Sequence, residues 1–418
     1  MSLPNGWSSS PLKHVTTVLN RGSAPDYVDD GSVRAVSQAA NQPSGLDWSR
    51  TRFHAFSGDP RRLKGYLQSG DVIVNSTGTG TLGRVGQFMG SPDGIPCMAD
   101  GHVTIARADH RTLHPRFSYY WLVSQPFQEY VYAALVVGAT NQIELNRERL
   151  GEAPVPLPPL EEQRRIADFL DTETARIDKL VALRLRQRDV IRSRQRAHTE
   201  RAMGECASGE WTRVKYLLRV RPRYGVLVPV FEDAGIPFIR VNDLLDLEGR
   251  ASGLAQIPVT LSNQYARTIT RRGDVLLSVV GTLGRAAVVP EELVGANIAR
   301  AVCSIRLRPD VDPSLFVAWI ATSEFERQAL LATGSDSAQP TLGMEDLSNF
   351  AIRWPTDARE QASVAGQVRE GQQIHSDLVR RTDRQLALLA ERRQALITAA
   401  VTGQLDVTTA RPAHDRDL

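Results

Sequence analysis

The chain has 418 residues, 42% of them apolar and 23% charged, and its 50 Lys and Arg against 47 Asp and Glu leave a formal net charge of +3. That length exceeds one ordinary domain and that composition can build packed cores, which excludes a disordered or fibrous chain and predicts two or three folded units. The near-balanced charge does not by itself announce a nucleic-acid binder, although it leaves room for segregated basic faces.

In chain order, the start MSLPNGWSSS has no basic segment followed by an apolar stretch, and no run of about 18 apolar residues follows anywhere. A cytoplasmic protein with no membrane contact is expected. The first strong signal is GDVIVNSTGTGTLGR, from Gly70 to Arg84: a turn, a buried strand, and a glycine-bearing loop that ends in arginine. Next comes an apolar and aromatic helical stretch, FSYYWLVSQPFQEYV from Phe117, and then the polar loop GATNQ. Pro154, Pro156, Pro158 and Pro159 impose an extended lead-in to a long helix, with Glu161 and Glu162 in the first turn where acids favour the helix dipole.

The same order of features returns about two hundred residues later. GDVLLSVVGTLGR (Gly273 to Arg285), SLFVAWIATSEFERQAL (from Ser314), GSDSAQP, and a Pro355 lead-in to a second long helix repeat the first copy. Asp357 and Glu360 are spaced as a capping box, and Glu360-Gln361 repeats Glu162-Gln163. Each helix runs about forty residues without proline, roughly 60 Å at about 1.5 Å per residue. The predicted organisation is residues 1–157, a first globular domain; 158–203, a central long helix; 204–355, a second domain; 356–403, a C-terminal long helix; and 404–418, a flexible tail.

Ile166, Leu170, Ile177 and Leu180 on the first helix, and Val364, Val368, Leu378, Leu386, Leu389 and Leu396 on the second, fall at helical spacing. They are predicted to form the helix-pair or partner interface, most simply an antiparallel pair. The fold class expected is therefore α+β: two similar mixed α/β domains separated by two long antiparallel, coiled-coil-like helices, with an internal pseudo-two-fold repeat. After Val181 the first helical pattern dissolves into ALRLRQRDVIRSRQR, which leaves its register there unclear.

The stretch PLPPLEEQRRIADFLDTETARIDKLV, from Pro156 to Val181, resembles the central region of type I restriction-modification specificity subunits, and RQALITAAVTGQLDV, from Arg393 to Val407, resembles their C-terminal ending. That resemblance implies a non-catalytic subunit whose two target-recognition domains each read half of a bipartite, asymmetric double-stranded DNA target. It implies that the helices act as a ruler and dock two methyltransferase (modification) subunits, which a restriction (motor-nuclease) subunit joins. No cofactor is expected in this chain; S-adenosylmethionine, ATP and Mg belong with the partners. A self-sufficient DNA-binding regulator and a scaffold without sequence readout are the alternatives.

GTGTLG, from Gly78 to Gly83, satisfies the dinucleotide-binding G-x-G-x-x-G pattern, but RVGQFMGSPDGIP cannot make the helix that would hold a pyrophosphate, and Arg84 and Val85 replace the Lys and Ser/Thr of a P-loop. Glycines instead permit a tight loop presenting Arg84, or Arg285 in the second copy, to a guanine edge or a phosphate; an ordinary hairpin with a surface arginine is the plainer reading. Amide, hydroxyl and guanidinium side chains in these and other polar loops complete the DNA-binding candidates, with a solvated loop residue as the plainer reading of each: Asn75, Ser76, Thr81, Asn141, Gln142, Arg240, Asn242, Thr282, Gln339 and Thr341. The Arg-rich run from Arg184 to Arg196 has phosphates, acids or solvent as its possible partners. His102, His110 and His114 cluster without a metal-binding helical pattern, and Cys97, Cys206 and Cys303 lack C-x-x-C spacing, so no metal site is expected and the thiols are expected to be structural.

Overall fold

A computed structural model describes residues 3–78, 80–137, 144–205, 209–334 and 340–407. The chain divides into two units, residues 1–184 with 385–418, and residues 185–384. Each contains one globular α+β part and a segment of both long helices.

In the first unit the central strand is Val72–Asn75, and every residue in it is buried. Val72 and Val74 enter a core with Leu12, Phe117 and Trp121, while Ile73 enters a second core with Val36, Cys97 and Ile105. A strand covered on both faces needs a continuous apolar run, which is what Val-Ile-Val supplies. The antiparallel sheet around it has the order Thr16–Arg21, Val103–Ala108, Val72–Asn75, Val85–Gln87. A second sheet pairs Val33–Val36 in parallel with Cys97–Ala99, and a ribbon pairs Ser8–Pro11 with Pro154–Leu157. The proline-rich lead-in is thus an edge strand, where a missing N–H is tolerated.

The second unit repeats this plan. Its antiparallel sheet runs Arg223–Tyr224, Val302–Ile305, Val275–Ser278, Ala286–Val288; Ile236–Ile239 pairs in parallel with Asn297–Ile298; and Gly209–Arg213 pairs with Ala351–Pro355. Val275 and Leu277 face one core and Leu276 the other. The repeat seen in the sequence is a repeat of strand order.

Each aromatic stretch forms two helices rather than one: Pro115–Val123 and Gln125–Tyr130, then Pro313–Ile320 and Ser323–Thr333. The hydroxyl of Ser124 donates to the Trp121 carbonyl at 2.6 Å, and that of Thr322 to the Trp319 carbonyl at 2.6 Å. This side-chain bond takes a carbonyl that a continuing helix would have used, and the chain turns a corner.

The long helices are Leu160–Gly204 and Ala358–Val401. The repeated Glu-Gln has a clear local role. Buried Gln163 accepts from the His114 amide at 2.8 Å and donates to the carbonyls of Thr112 and Pro158, at 3.0 and 2.9 Å. Gln361 does the same work in the second unit, accepting from the Asp312 amide and donating to the Pro355 carbonyl. Each glutamine ties a helix start to the loop that opens the aromatic corner, satisfying backbone groups that would otherwise be orphaned.

Within each unit the segments of the two helices pack together and run antiparallel. Arg393 meets Asp178 at 3.5 Å in the first unit; Arg188 meets Asp383 at 3.3 Å, and His198 lies 3.1 Å from the Gln367 carbonyl, in the second. As one partner's number rises the other's falls. The first helix does not dissolve after Val181, as its sequence pattern suggested, but runs unbroken to Gly204.

Burial divides the expected interface positions by depth. Ile166 and Leu170 join Ile397, Ala400 and Val401 in the first core, whereas Val364 and Val368 join Ala202 and Met203 in the second. These residues anchor helix ends to domains. Ile177 is buried, Leu180, Leu386, Leu389 and Leu396 are half-buried, and Leu378 is 39% exposed. Toward the middle the contacts are carried by Arg-Asp pairs and buried Thr382, which is why apolar spacing weakens there. Leu405 and Val407, at the start of the expected flexible tail, pack against the first core; 408–418 lie outside the described residues.

Candidate nucleic-acid interface

Both glycine loops are hairpin tips joining paired strands. Gly83 (φ 75°) and Gly284 (φ 83°) occupy the left-handed region that L side chains rarely adopt, and each amide donates to the carbonyl of the last residue of the preceding strand, Asn75 or Ser278. The next residue is Arg84 or Arg285, followed by strands Val85–Gln87 and Ala286–Val288. No helix start is available to hold a phosphate, so the dinucleotide geometry is absent at this loop.

The arginines brace against the segment after the parallel strand in both units. Arg84 donates to the Asn41 carbonyl at 3.0 Å. Arg285 donates to the Asn242 side-chain oxygen at 2.8 Å, while its own amide bonds to the Ser278 hydroxyl at 2.9 Å. Asn242 and Arg285, forty-three residues apart, are thus brought into one polar pair. Buried Asp243 accepts from the Arg240 amide at 2.8 Å and lies 3.8 Å from Arg250. The guanidinium groups of Arg240 and Arg250 are half exposed around that single carboxylate, which gives this surface a basic character. Thr282 is exposed at the hairpin tip, and exposed Thr341 bridges Val280 at its base.

The first unit distributes its candidates differently. Asn75 and Ser76 are fully buried: Asn75 accepts from Asn41 at 2.9 Å and donates to the Gln38 carbonyl, and Ser76 bonds Thr104. They hold the loop's root and do not face solvent. Thr81 folds back on the Thr77 and Gly78 carbonyls. Asn141, Gln142 and Gln339 lie outside the described residues, as does Cys206. Sequence reasoning missed the half-buried group of Thr77 with Gln38 at 3.1 Å and His102 at 2.9 Å. Thr77 is the first residue after the doubly covered strand to reach the surface, and locating that point requires the length of the strand.

A second feature missed is a matched buried ion pair. Asp71 and Asp274, each with a side chain 2% exposed, are gripped by two nitrogens of Arg107 and Arg306 respectively, at 2.7 to 2.9 Å. The Asp274 hydrogen bonds hold the Arg306 guanidinium above its ordinary pKa. Each carboxylate also accepts a backbone amide, from Gln68 or Arg271, and so fixes the turn before the central strand. The repeated Gly-Asp-Val was the available signal. Burial pushes the Cys97 thiol up to about 11 and raises that of Cys303 as well, so both are protonated at neutral pH. Among the described residues, no group of three or more His, Cys, Asp or Glu could hold a metal ion, and no helix is long and apolar enough to cross a membrane.

Two copies of one α+β domain, each presenting an arginine-bearing hairpin and each continued by a long helix that pairs with the other, define a duplicated domain-and-helix scaffold. Residues 52–185 match the family described as the type I restriction modification DNA specificity domain. The type I restriction enzyme EcoBI specificity subunit of Escherichia coli is 28% identical over 291 residues, 62% of this chain, and the match spans only 60% of that relative's length. The type I MjaX specificity subunit of Methanocaldococcus jannaschii is 19% identical over 97% of this chain and 95% of its own. A solved chain of a type I restriction-modification system has the same fold, with a TM-score of 0.68 at 20% identity, covering 97% of this chain and all of that one. Over residues 52–185 the chain is similar to the type I restriction modification DNA specificity domain, and over nearly its whole length it shares the fold of the solved chain.

Proposed function

We propose that the chain is the sequence-reading subunit of a type I restriction-modification complex and catalyses nothing itself. Each recognition domain reads one half of a bipartite, asymmetric DNA target. The paired helices set the spacer and dock two methyltransferase subunits, and a motor-nuclease subunit completes the assembly; S-adenosylmethionine, ATP and Mg act in those partners, in the cytoplasm. The observation that carries this reading is the duplication itself, in which the same strand order recurs with different hairpin surroundings, Arg84 on Asn41 in one copy and Arg285 on Asn242 in the other. Similar scaffolds with unlike surfaces suit two unlike half-sites, and the Arg285–Asn242 surface of the second copy offers donors that match guanine and adenine edges in the major groove.

The test is methylation mapping of the host genome with and without this gene. The reading predicts one split, non-palindromic methylated motif that disappears on deletion, and no methyl transfer by the purified chain alone. Transfer by the chain alone, or a motif that survives deletion, would overturn it.

A further inference from the structure

The second unit carries an open cleft of about 710 Å³. One wall is the segment after the short helical turn Val214–Tyr216, contributing Lys215, Arg219 and Arg221; the other is the helix Met344–Asn349. Local sequence explains the cleft. Leu218 still bridges Leu307, but Pro222 offers no N–H to the sheet, and regular pairing resumes only at Arg223–Tyr224. Arg219 makes the last ladder bond, its amide donating to the Arg306 carbonyl at 2.8 Å; Val220 to Pro222 then leave the ladder, and the side chains of Arg219 and Arg221 are exposed.

The lining holds three cations against one acid, Glu345. Lys215 is 3.3 Å from the Asn349 side-chain oxygen, a neutral partner, and among the described residues neither Arg219 nor Arg221, both exposed, pairs with an acid. The first unit serves as an internal control. The residue matching Lys215 in its helical turn, Lys13, is neutralised by Glu152, and Thr16–Arg21 pairs along its length with Val103–Ala108 and carries only Arg21, which meets Glu144 at 3.3 Å. The fold does not require unpaired charge here; only the second copy has it.

We propose that this cleft binds the phosphate backbone of DNA, so that the second domain grips its half-site through non-specific contacts that the first lacks at the same place. This rests on the DNA-recognition reading above. Phosphate contacts position a protein without reading sequence, and each one lost lowers the slope of log affinity against log salt by about 0.9 on duplex DNA.

The experiment measures binding of the full chain, in the complex in which it purifies, to a random-sequence duplex and to a duplex carrying the mapped target, over a salt series. Arg219→Gln/Arg221→Gln is expected to reduce the salt slope by about 2 on both duplexes and to weaken both to the same factor, with the melting temperature unchanged. Arg219→Lys/Arg221→Lys restores the slope, and Lys13→Gln in the first domain leaves it unaltered. The proposal is overturned if the double glutamine variant keeps the wild-type slope, or if only the target duplex is affected, which would make these residues base readers. It is equally overturned if DNA binding is intact while assembly with the methyltransferase subunit weakens, which would make the cleft a protein-docking surface. Absence of target preference in the wild-type protein would instead count against the recognition reading itself.

Discussion

At the scale of single residues, the two copies are most alike where nothing faces solvent. Asp71 with Arg107 and Asp274 with Arg306 are bidentate and nearly dry, and each carboxylate also caps the turn before the central strand. Removing one charge from such a pair strands the other, which costs about 3–5 kcal/mol. Asp71→Asn and Asp274→Asn should each lower stability by about 3 kcal/mol in urea unfolding, the low end because the arginine side chains retain 19% and 16% exposure. A loss below about 1 kcal/mol would show that the pair is incidental. Arg285 belongs to the opposite category: among the described residues its guanidinium bonds only Asn242, so Arg285→Ala should leave stability nearly unchanged and weaken binding to the target duplex by about 1–3 kcal/mol, with less effect on random DNA. Sequence reasoning placed Asn75, Ser76 and Arg285 in one list. Only the last reaches the surface, because a strand sandwiched between two cores has no polar face to reveal where it ends.

At the scale of elements, the long helices were legible from their proline lead-ins, first-turn acids and lack of internal breakers. Their apolar positions were legible too, but the assignment of what those positions touch was not. Leu170 and Val368 sit at the same helical spacing as Leu378, yet the first two complete domain cores and the last faces water. Periodicity reports that a helix has a buried side; it does not distinguish a helix partner from a domain underneath. Leu170→Ala should therefore cost about 2–5 kcal/mol and Leu378→Ala less than about 1 kcal/mol, measured by thermal or urea unfolding. Equal losses at the two sites would restore the continuous apolar seam. The corners at Ser124 and Thr322 were missed although signals were present: polar residues interrupt both apolar stretches there, and Pro126 opens the next helix in the first copy, as Thr322 caps it in the second.

At the scale of the whole molecule, the account rests on duplication with divergence. The sheet order, the parallel strand pair, the glutamine clamp and the buried ion pair recur, while the hairpin surroundings and the basic cleft do not. Fold and duplication could be found from sequence because Gly-Asp-Val, the aromatic stretches and the Glu-Gln helix starts recur in order. The cleft could not, because it arises from a strand that leaves its sheet at Pro222 and from a helix more than a hundred residues downstream. The most direct measurement is to exchange residues 209–355 for the matching domain of a type I specificity subunit that the chain resembles and map the methylated motif in cells. The account predicts that one half of the motif changes while the other half and the spacer stay as they were. An unchanged motif, or a change in both halves, would contradict it.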